Sequence, residues 1–362
     1  MKISSIETIP IAIPYESGAA PQLLGGRPRT RMESLLIKVT TDSGLVGWGD
    51  AFGVNIWPVT RALFDRLVTP LCIGADPLAR DPLLDTLART LYHFGLSGPL
   101  QYALSGLDIA LWDIAGKAAG VPVHQLIGPL RHATLPVYAS LLPYRDPALA
   151  ARYAARAVAE GYRHVKLHER DVASVAQSRA AIGDAALMVD VNCAFDLAGA
   201  QAFCEQIAEF DPLWVEEPVF PPHDFEAIGQ LAASTRVPLA LGENVGTAFE
   251  LERLARQLPI AYIQPSTVKA GGITTLLQVQ QAAHGNAKSM MPHSAYFGPG
   301  LLATLHVLST VQGAPVIERF YCEMPVELCG EATRVMRGTM RVPDVPGLGF
   351  EPDPDVLHRY AA

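Results

Sequence analysis

The chain of 362 residues is long enough for one large α/β domain and a smaller second domain. Its residues are 49% hydrophobic and 18% charged, a composition typical of a soluble protein with a large core. The formal net charge of −8 and the lack of a clustered Lys/Arg run argue against binding to nucleic acid. No uninterrupted apolar run reaches the length of a transmembrane helix, so we expect no membrane partner.

Cysteine usage indicates the compartment in which the protein works. The five cysteines show no C-x-x-C spacing, which is typical of reduced thiols in a cytoplasmic protein. The N-terminal residues Met1 and Lys2 lead into a strand pattern that Pro10 and Pro14 interrupt, unlike a signal peptide. We therefore expect a cytoplasmic location.

The first elements in chain order are strands. Residues 2–13 and 33–53 alternate apolar and polar side chains, and residues 41–44 (Thr-Asp-Ser-Gly) carry a turn signal within the second region. This pattern predicts a β-hairpin. Residues 15–31 are rich in Gly, Pro and Arg without a helical period, and such a long connection in a compact domain is usually functional. We expect it to act as a lid.

Residues 57–117 have a helical pattern. Asp81-Pro82 and Gly98-Pro99 are helix-start signals, and an apolar stripe at helical spacing follows them: Ala103, Leu104, Leu107, Ala110, Leu111 and Ile114. Glycines and prolines between residues 120 and 129 then mark a boundary. The prediction is an N-terminal domain over residues 1–125.

Residues 126–329 alternate short apolar runs with amphipathic segments. We predict eight strands at Leu135–Ser140, His164–His168, Leu187–Asn192, Leu213–Pro218, Leu239–Asn244, Tyr262–Ser266, Ser289–Ser294 and Val316–Phe320. Eight βα units favour a closed parallel barrel over an open doubly wound sheet. Residues 330–362 lose the alternation, and we expect this C-terminal segment to return to the N-terminal domain.

Three consecutive predicted strands end in a carboxylate. Asp190 and Glu216 are 26 residues apart, and Glu216 and Glu243 are 27 apart, which fits one strand, one helix and two loops. Acids gathered at one end of a barrel would repel each other unless they were protonated or neutralised by a cation. An all-oxygen ligand set favours Mg²⁺. The alternative is that the three acids form structural ion pairs with barrel lysines and arginines.

Further polar side chains lie at the same predicted strand ends, where barrel active sites occur. Residues two apart in a strand face the same side, so Lys166 should share a face with His168, and Asp190 with Asn192. The remaining polar residues at these ends are Ser266, His293 and Glu318. One pocket would thus gather carboxylates, an amine and two imidazoles.

Several segments together resemble the enolase superfamily, specifically its mandelate racemase branch. They are Gly47–Gly49, Ser105–Asp113, Val189–Asn192, Val215–Pro218, Gly242–Asn244 and Gly271–Ile273. The resemblance implies an α/β fold, a modified (β/α)₇β TIM barrel beneath an α+β capping domain. It also implies Mg²⁺ held by Asp190, Glu216 and Glu243, and removal of the proton α to a carboxylate through an enediolate. Cationic groups placed where that charge develops would lower the barrier.

The same resemblance implies a role for each remaining candidate. Lys166 would contact the substrate carboxylate, and His168, where the family usually has Lys, would be the base. Glu318 would donate a hydrogen bond to the enediolate, and Asn192 would contact substrate. His293 would be the acid or base on the opposite face.

The chain departs from the branch pattern at Ser266. An Asp at this position usually orients the seventh-strand His, and Ser266 can accept a hydrogen bond from that imidazole but cannot stabilise imidazolium as an anion does. We expect His293 to be a weaker base, better suited to donating a proton to a leaving hydroxyl or merely to binding substrate, with inert packing as a further alternative. We group Ser266 with Asn192 as a substrate contact. A racemase with two equivalent bases is therefore disfavoured.

These residues lead to the hypothesis of a Mg²⁺-dependent enzyme acting on a small-molecule carboxylate. The reaction we favour is dehydration of a sugar acid to a 2-keto-3-deoxy acid. One alternative is a racemase, epimerase or lactone cycloisomerase on the same scaffold. An alternative from another class is a non-catalytic barrel that binds a ligand through a metal. We also expect a homo-oligomer.

Overall fold

The computed structural model describes residues 1–362. The alternating N-terminal residues form a three-stranded antiparallel sheet ordered β1–β4–β5, and the predicted hairpin is its β4–β5 pair. The connection expected to be a lid contains a small two-stranded pair, β2–β3. The strands are β1 (Ile3–Pro14), β2 (Gln22–Leu24), β3 (Arg27–Arg29), β4 (Arg31–Thr41) and β5 (Val46–Phe52).

Five helices complete the N-terminal part: α1 (Trp57–Leu63), α2 (Thr69–Cys72), α3 (Arg80–Leu91), α4 (Pro99–Ala119) and α5 (Val123–Ile127). A π-helical turn over residues 64–68 joins the first two. Helix α4 packs on β5 so closely that a Cβ added to Gly49 would collide with the carbonyl oxygen of Gly106. This backbone approach explains why both segments carry glycine.

All eight predicted barrel strands are present, and they run parallel in chain order. They are β6 (Thr134–Ser140), β7 (His164–Leu167), β8 (Ala186–Asp190), β9 (Trp214–Glu216), β10 (Leu239–Leu241), β11 (Tyr262–Ile263), β12 (Ser289–Met290) and β13 (Ile317–Phe320). Seven helices separate them: α6 (Pro147–Ala159), α7 (Val172–Ile182), α8 (Leu197–Ile207), α9 (Phe225–Ser234), α10 (Ala248–Gln257), α11 (Gly272–Gly285) and α12 (Pro299–Leu308). The predicted (β/α)₇β barrel is therefore confirmed.

The barrel closes in two ways. Strand β13 pairs with β6 through a parallel backbone ladder. Between β12 and β13 the link is a side chain, because Ser294 Oγ accepts from the Glu318 N–H at 3.1 Å and lies 3.3 Å from the Glu318 carbonyl oxygen. This link holds the seventh and eighth strand ends together beside the polar pocket.

The barrel helices begin at side-chain caps. An Asp or Thr accepts a hydrogen bond from a first-turn N–H in five of them: Asp146, Asp171, Asp196, Asp224 and Thr247. Helices α11 and α12 instead follow Gly271 and Gly298, which offer no side-chain acceptor. First-turn N–H groups of these two helices donate to carboxylates of the N-terminal part, Asp108 for α11 and Asp50 for α12.

The C-terminal residues form β14 (Val335–Met336), β15 (Thr339–Arg341) and α13 (Pro354–Arg359). Strand β15 pairs antiparallel with β6, and the Ala12 N–H donates to the Tyr360 carbonyl at 2.9 Å. The limits proposed for the domains, 1–125, 126–329 and 330–362, stay a prediction. The five cysteines are free thiols. None of the helices combines the length and apolarity needed to cross a bilayer.

Candidate active site

The polar pocket lies above an apolar plug inside the barrel. Tyr138, Met188 and Trp214 are buried there with Ala240, Met291 and Val316. Because alternate residues of a strand face the same side, the inward positions two residues further on form the next layer. In that layer the sequence places Ser140, Asp190, Glu216 and Glu318. The polar side chains of the pocket therefore lie one side-chain layer above the apolar plug.

Lys166 lies at the centre of this layer and is fully buried. Its Nζ lies 3.2 Å from Asp190 Oδ2, 3.0 Å from Glu216 Oε1 and 2.9 Å from Glu318 Oε1. Burial alone would lower the pKa of Lys166, but Glu216 and Glu318 outweigh it and hold that pKa well above its ordinary value. Lys166 is thus a permanent cation among the carboxylates.

The three predicted metal ligands converge. Asp190, Glu216 and Glu243 each offer an oxygen, and these oxygens lie within 4.8 Å of one another. Burial, followed by the neighbouring Asp190 charge, raises the pKa of Glu216 well above its ordinary value. Burial also opposes ionisation of Asp190, but Lys166 and His168 outweigh it and lower the Asp190 pKa. Lys166 alone therefore does not keep the Glu216 carboxylate ionised. This fits a site that takes an additional, divalent cation.

Glu318 is held by donors on every side. Its Oε1 accepts from Ser140 Oγ at 2.8 Å, and its Oε2 accepts from the Ser294 N–H at 3.0 Å. Burial favours the neutral acid, but Lys166 and then His293 outweigh it and lower the pKa of Glu318 to about 2. The carboxylate is therefore an acceptor as placed here. Its expected role as a donor to an enediolate stays a prediction.

His168 has a defined tautomer because of its neighbour on the preceding strand end. Its Nδ1 lies 2.5 Å from the carbonyl oxygen of Leu141, which can only accept, so Nδ1 carries a hydrogen. The other nitrogen, Nε2, lies 3.2 Å from Asp190 Oδ2, the same oxygen that Lys166 contacts. The lone pair of a neutral His168 therefore lies at Nε2, inside the pocket.

His293 has a different partner. Its Nδ1 lies 2.9 Å from the hydroxyl oxygen of Tyr296, and its Nε2 lies 3.2 Å from Glu243 Oε2. Burial lowers the pKa of His293, although Glu243 and Glu318 favour its charged form. Since a hydroxyl can donate or accept, Tyr296 satisfies Nδ1 whether or not that nitrogen carries a hydrogen. No anion stabilises imidazolium from the Nδ1 side.

Two sequence expectations about the pocket need correction. Ser266 was expected to reach the His293 imidazole, but its hydroxyl instead bonds the Tyr296 hydroxyl, which lies between them. Asn192 was expected to share a strand face with Asp190. The strand ends at Asp190, and Asn192 has a left-handed φ of +46° and an exposed side chain. Its backbone N–H donates to Asp190 Oδ1 at 2.9 Å, so the main chain of Asn192 orients that carboxylate.

Sequence reasoning missed two further contacts. Tyr296, the partner of His293, follows it by three residues in an irregular segment whose path no sequence period predicts. Glu217 is buried beside the ligand cluster and accepts from Asn244 Nδ2 at 2.6 Å. Burial, followed by the Glu243 charge, raises the pKa of Glu217 to about 7. The doubled acid Glu216-Glu217 was the available signal for it.

Comparison with known proteins gives the family. Residues 149–356 match the family described as enolase C-terminal domain-like. Residues 16–128 match the mandelate racemase / muconate lactonizing enzyme N-terminal domain. The chain belongs to the enolase superfamily, in its mandelate racemase / muconate lactonizing enzyme family. The predicted resemblance is thus confirmed.

Two relatives by sequence are named as dehydratases. The D-galactonate dehydratase of Verminephrobacter eiseniae is 32% identical over 288 residues, which cover 75% of this chain and 74% of the relative. The D-xylonate dehydratase of Haloferax volcanii is 27% identical over 354 residues, covering 90% and 85%. The prediction that this superfamily member is an enzyme agrees with both names.

Two similar crystal structures carry isomerase names. The 3,6-anhydro-D-galactonate cycloisomerase of Zobellia galactanivorans has a TM-score of 0.87 at 26% identity and covers both chains completely. A racemase of Streptomyces coelicolor A3(2) with bound magnesium has a TM-score of 0.88 at 25% identity, covering 99% of this chain and 100% of the racemase. Magnesium therefore occurs in a homologous structure, and this chain has the acidic cluster described above.

Proposed function

We propose that this enolase-superfamily enzyme dehydrates a sugar acid to a 2-keto-3-deoxy acid with the help of Mg²⁺. The observation that carries the proposal is the difference between the two imidazoles. His168 donates Nδ1–H to a carbonyl, whereas the Nδ1 of His293 meets a neutral hydroxyl. Such a pair suits one base and one proton donor better than two interchangeable bases. The dehydratase names of the relatives support the same reaction class.

His168 would take the proton from the carbon next to the substrate carboxylate. A general base needs a free lone pair within hydrogen-bond reach of that proton. The Leu141 carbonyl holds the hydrogen of a neutral His168 on Nδ1, which leaves the lone pair on Nε2, the nitrogen that faces the pocket beside Asp190. The C–H electron pair then moves toward the carboxylate and gives an enediolate.

His293 would protonate the departing β-hydroxyl from the opposite face. As imidazolium it gives up the Nε2 proton, the carbon–oxygen bond breaks with its electron pair on oxygen, and water leaves. The remaining Nδ1–H would donate to the Tyr296 hydroxyl, which also shares a hydrogen bond with the Ser266 hydroxyl. Burial without an anionic Nδ1 partner makes imidazolium a stronger acid. The enol product becomes the 2-keto-3-deoxy acid.

Asp190, Glu216 and Glu243 would hold Mg²⁺, since they supply the oxygen ligands that this ion prefers. A bound divalent cation stabilises negative charge on the substrate carboxylate and on the enediolate. Lys166 adds a buried positive charge at the same place, and Glu318 fixes Lys166 through its ion pair. Asn192, whose side chain is exposed, would contact the substrate directly. Ser266 would contribute indirectly, because its hydroxyl bonds Tyr296, which contacts His293.

The test separates the dehydratase from the isomerases that the structural relatives suggest. The protein is incubated with Mg²⁺ and a panel of pentonates, hexonates and aldarates in D₂O. A 2-keto-3-deoxy product detected with semicarbazide supports the proposal. Deuterium in recovered, inverted substrate, or a new lactone ring without water loss, would favour an isomerase. A His168→Ala variant that binds but never converts an acid that the unaltered protein converts supports the assigned base.

A further inference from the structure

Arg29, the last residue of β3 in the lid connection, is a cation without an anionic partner. Its Nε is buried and makes no hydrogen bond. The nearest polar contact of its side chain is Met32 Sδ, 3.2 Å from one terminal nitrogen, and sulfur is a weak acceptor. No carboxylate oxygen of the protein lies within 4.0 Å of its guanidinium nitrogens. A partly buried guanidinium with an unpartnered nitrogen is stabilised when an anion joins it.

The position of Arg29 relates it to both imidazoles. Its guanidinium carbon lies 4.8 Å from the centre of the Phe320 ring, and the His168 ring centre lies 6.3 Å from the same ring. Arg29 also shares a pocket with Tyr296, whose hydroxyl contacts His293. This pocket lies between the N-terminal sheet and the residues that follow the seventh barrel strand. Arg29 and His168 therefore both lie near Phe320, which places the guanidinium on the same side of the barrel as the strand-end residues.

The acids in this pocket are engaged elsewhere. Glu33 Oε2 accepts from the Asn55 N–H at 2.5 Å. Asp50 accepts from Ser34 Oγ at 2.5 Å and from the Gly300 N–H at 3.2 Å. Neither is close enough to Arg29 for an ion pair. A partly buried cation thus lines this pocket without a carboxylate of the protein close enough to pair with it.

We propose that Arg29 binds a second carboxylate of the substrate, so that the substrates are sugar diacids (aldarates) rather than monocarboxylic sugar acids. This inference rests on the proposed dehydratase function. One carboxylate of the diacid would lie at the acidic cluster and Lys166, and the other would form a charge-assisted, two-point contact with the Arg29 fork. A terminal hydroxyl could accept a hydrogen bond from Arg29 but could not neutralise its charge.

The test uses substrate pairs that differ only at carbon 6. Galactarate is compared with galactonate, and glucarate with gluconate, each with Mg²⁺. We expect the unaltered protein to have the higher kcat/KM on the diacid of a pair. Arg29→Met should lower kcat/KM on that diacid by about 100-fold, the scale of breaking a buried charge pair, and on the monoacid by less than about threefold. Arg29→Lys should recover part of the loss.

Arg27 supplies the matched control, because it lies in the same strand with an exposed side chain. Arg27→Met should change neither substrate's kcat/KM. Equal losses on diacid and monoacid in Arg29→Met, or an unaltered protein that prefers the monoacid, overturn the inference. Calorimetric binding of galactarate and glucarate to His168→Asn, with and without Arg29→Met, decides the role of Arg29 even if no acid is converted. If the diacids bind only when Arg29 is present but are never converted, the proposed dehydratase function is overturned and the role of Arg29 stands. If the diacids bind equally well without Arg29, or do not bind at all, the role of Arg29 is overturned.

Discussion

Asp108 of α4 accepts a hydrogen bond from the first turn of α11, a helix of the barrel. Helix α11 has no side-chain cap of its own, and Asp108 Oδ2 accepts from the Thr274 N–H at 3.0 Å. The Thr274 hydroxyl donates to Asp108 Oδ1 at 2.5 Å and accepts from Trp112 Nε1 at 3.1 Å. Asp108 is fully buried, and this burial raises its pKa from 3.8 to about 6 despite those donors. We predict that Asp108→Asn makes stability less dependent on pH.

The magnitude follows from the raised pKa. Between about pH 4 and pH 6 the native protein holds the Asp108 proton while the unfolded chain has released it, so the native state binds more protons. The free energy of unfolding must then fall as pH rises through this window. A shift from 3.8 to about 6 corresponds to about 3 kcal/mol. Asn resembles the protonated acid and does not titrate, so this decrease should be absent from Asp108→Asn.

Urea unfolding followed by circular dichroism at pH 4, 5, 6 and 7 measures the effect. The free energy of unfolding of Asp108→Asn should gain about 3 kcal/mol relative to the unaltered protein across this range. Asp196→Asn is the control, because Asp196 is an exposed cap and Asn caps a helix equally well. Its difference from the unaltered protein should stay constant. Parallel curves for Asp108→Asn would refute the reasoning about this buried carboxylate.

Three further predictions concern the site and His306, a buried histidine of α12. Glu216→Gln should abolish both the thermal stabilisation by Mg²⁺ and turnover. The control His168→Asn should lower turnover by about 100-fold and keep the stabilisation by Mg²⁺. Unchanged Mg²⁺ affinity in Glu216→Gln would contradict the proposed ligand set. Tyr296→Phe, which removes the only Nδ1 partner of His293, should lower kcat by about tenfold or more with little change in KM, and an unchanged kcat would remove Tyr296 from the reaction. Burial lowers the pKa of His306 from 6.5 to about 4, so the unfolded chain binds the extra proton and about 3 kcal/mol of stability is lost as pH falls through that window. His306→Gln should lack this loss in acid unfolding, and identical pH profiles would contradict it.

The sequence was sufficient to predict the parts of the site that depend on strand order and alternation. Lys166 and His168 contact the same oxygen of Asp190, as residues two apart at a strand end should. The three acids meet because successive parallel strands end at the same barrel rim. These predictions follow from regular strand geometry, so a single amino-acid sequence is enough to make them.

The remaining contacts could not be predicted because they lie where the backbone is irregular or where two parts of the chain meet. The left-handed φ of Asn192 turns its side chain out of the strand alternation. Tyr296 reaches His293 only because residues 291–298 follow an irregular path. The bond from Thr274 to Asp108 joins residues 166 positions apart, so it depends on how the N-terminal part sits on the barrel. No spacing rule covers such pairs.

In the proposed mechanism a cation held by the acidic cluster would make carbon deprotonation possible, but the reaction that follows would depend on residues outside that cluster. A ligand set of three acids would serve a racemase, a cycloisomerase or a dehydratase equally well, since each begins with the same proton removal. The distinction lies in the partners of the two imidazoles. A carbonyl accepts the hydrogen of His168 at Nδ1, and at His293 the Nδ1 partner is a neutral hydroxyl rather than an anion. In the proposed mechanism the reaction type therefore depends more on the groups around the two imidazoles, the Leu141 carbonyl and the Tyr296 and Ser266 hydroxyls, than on the proposed metal ligands.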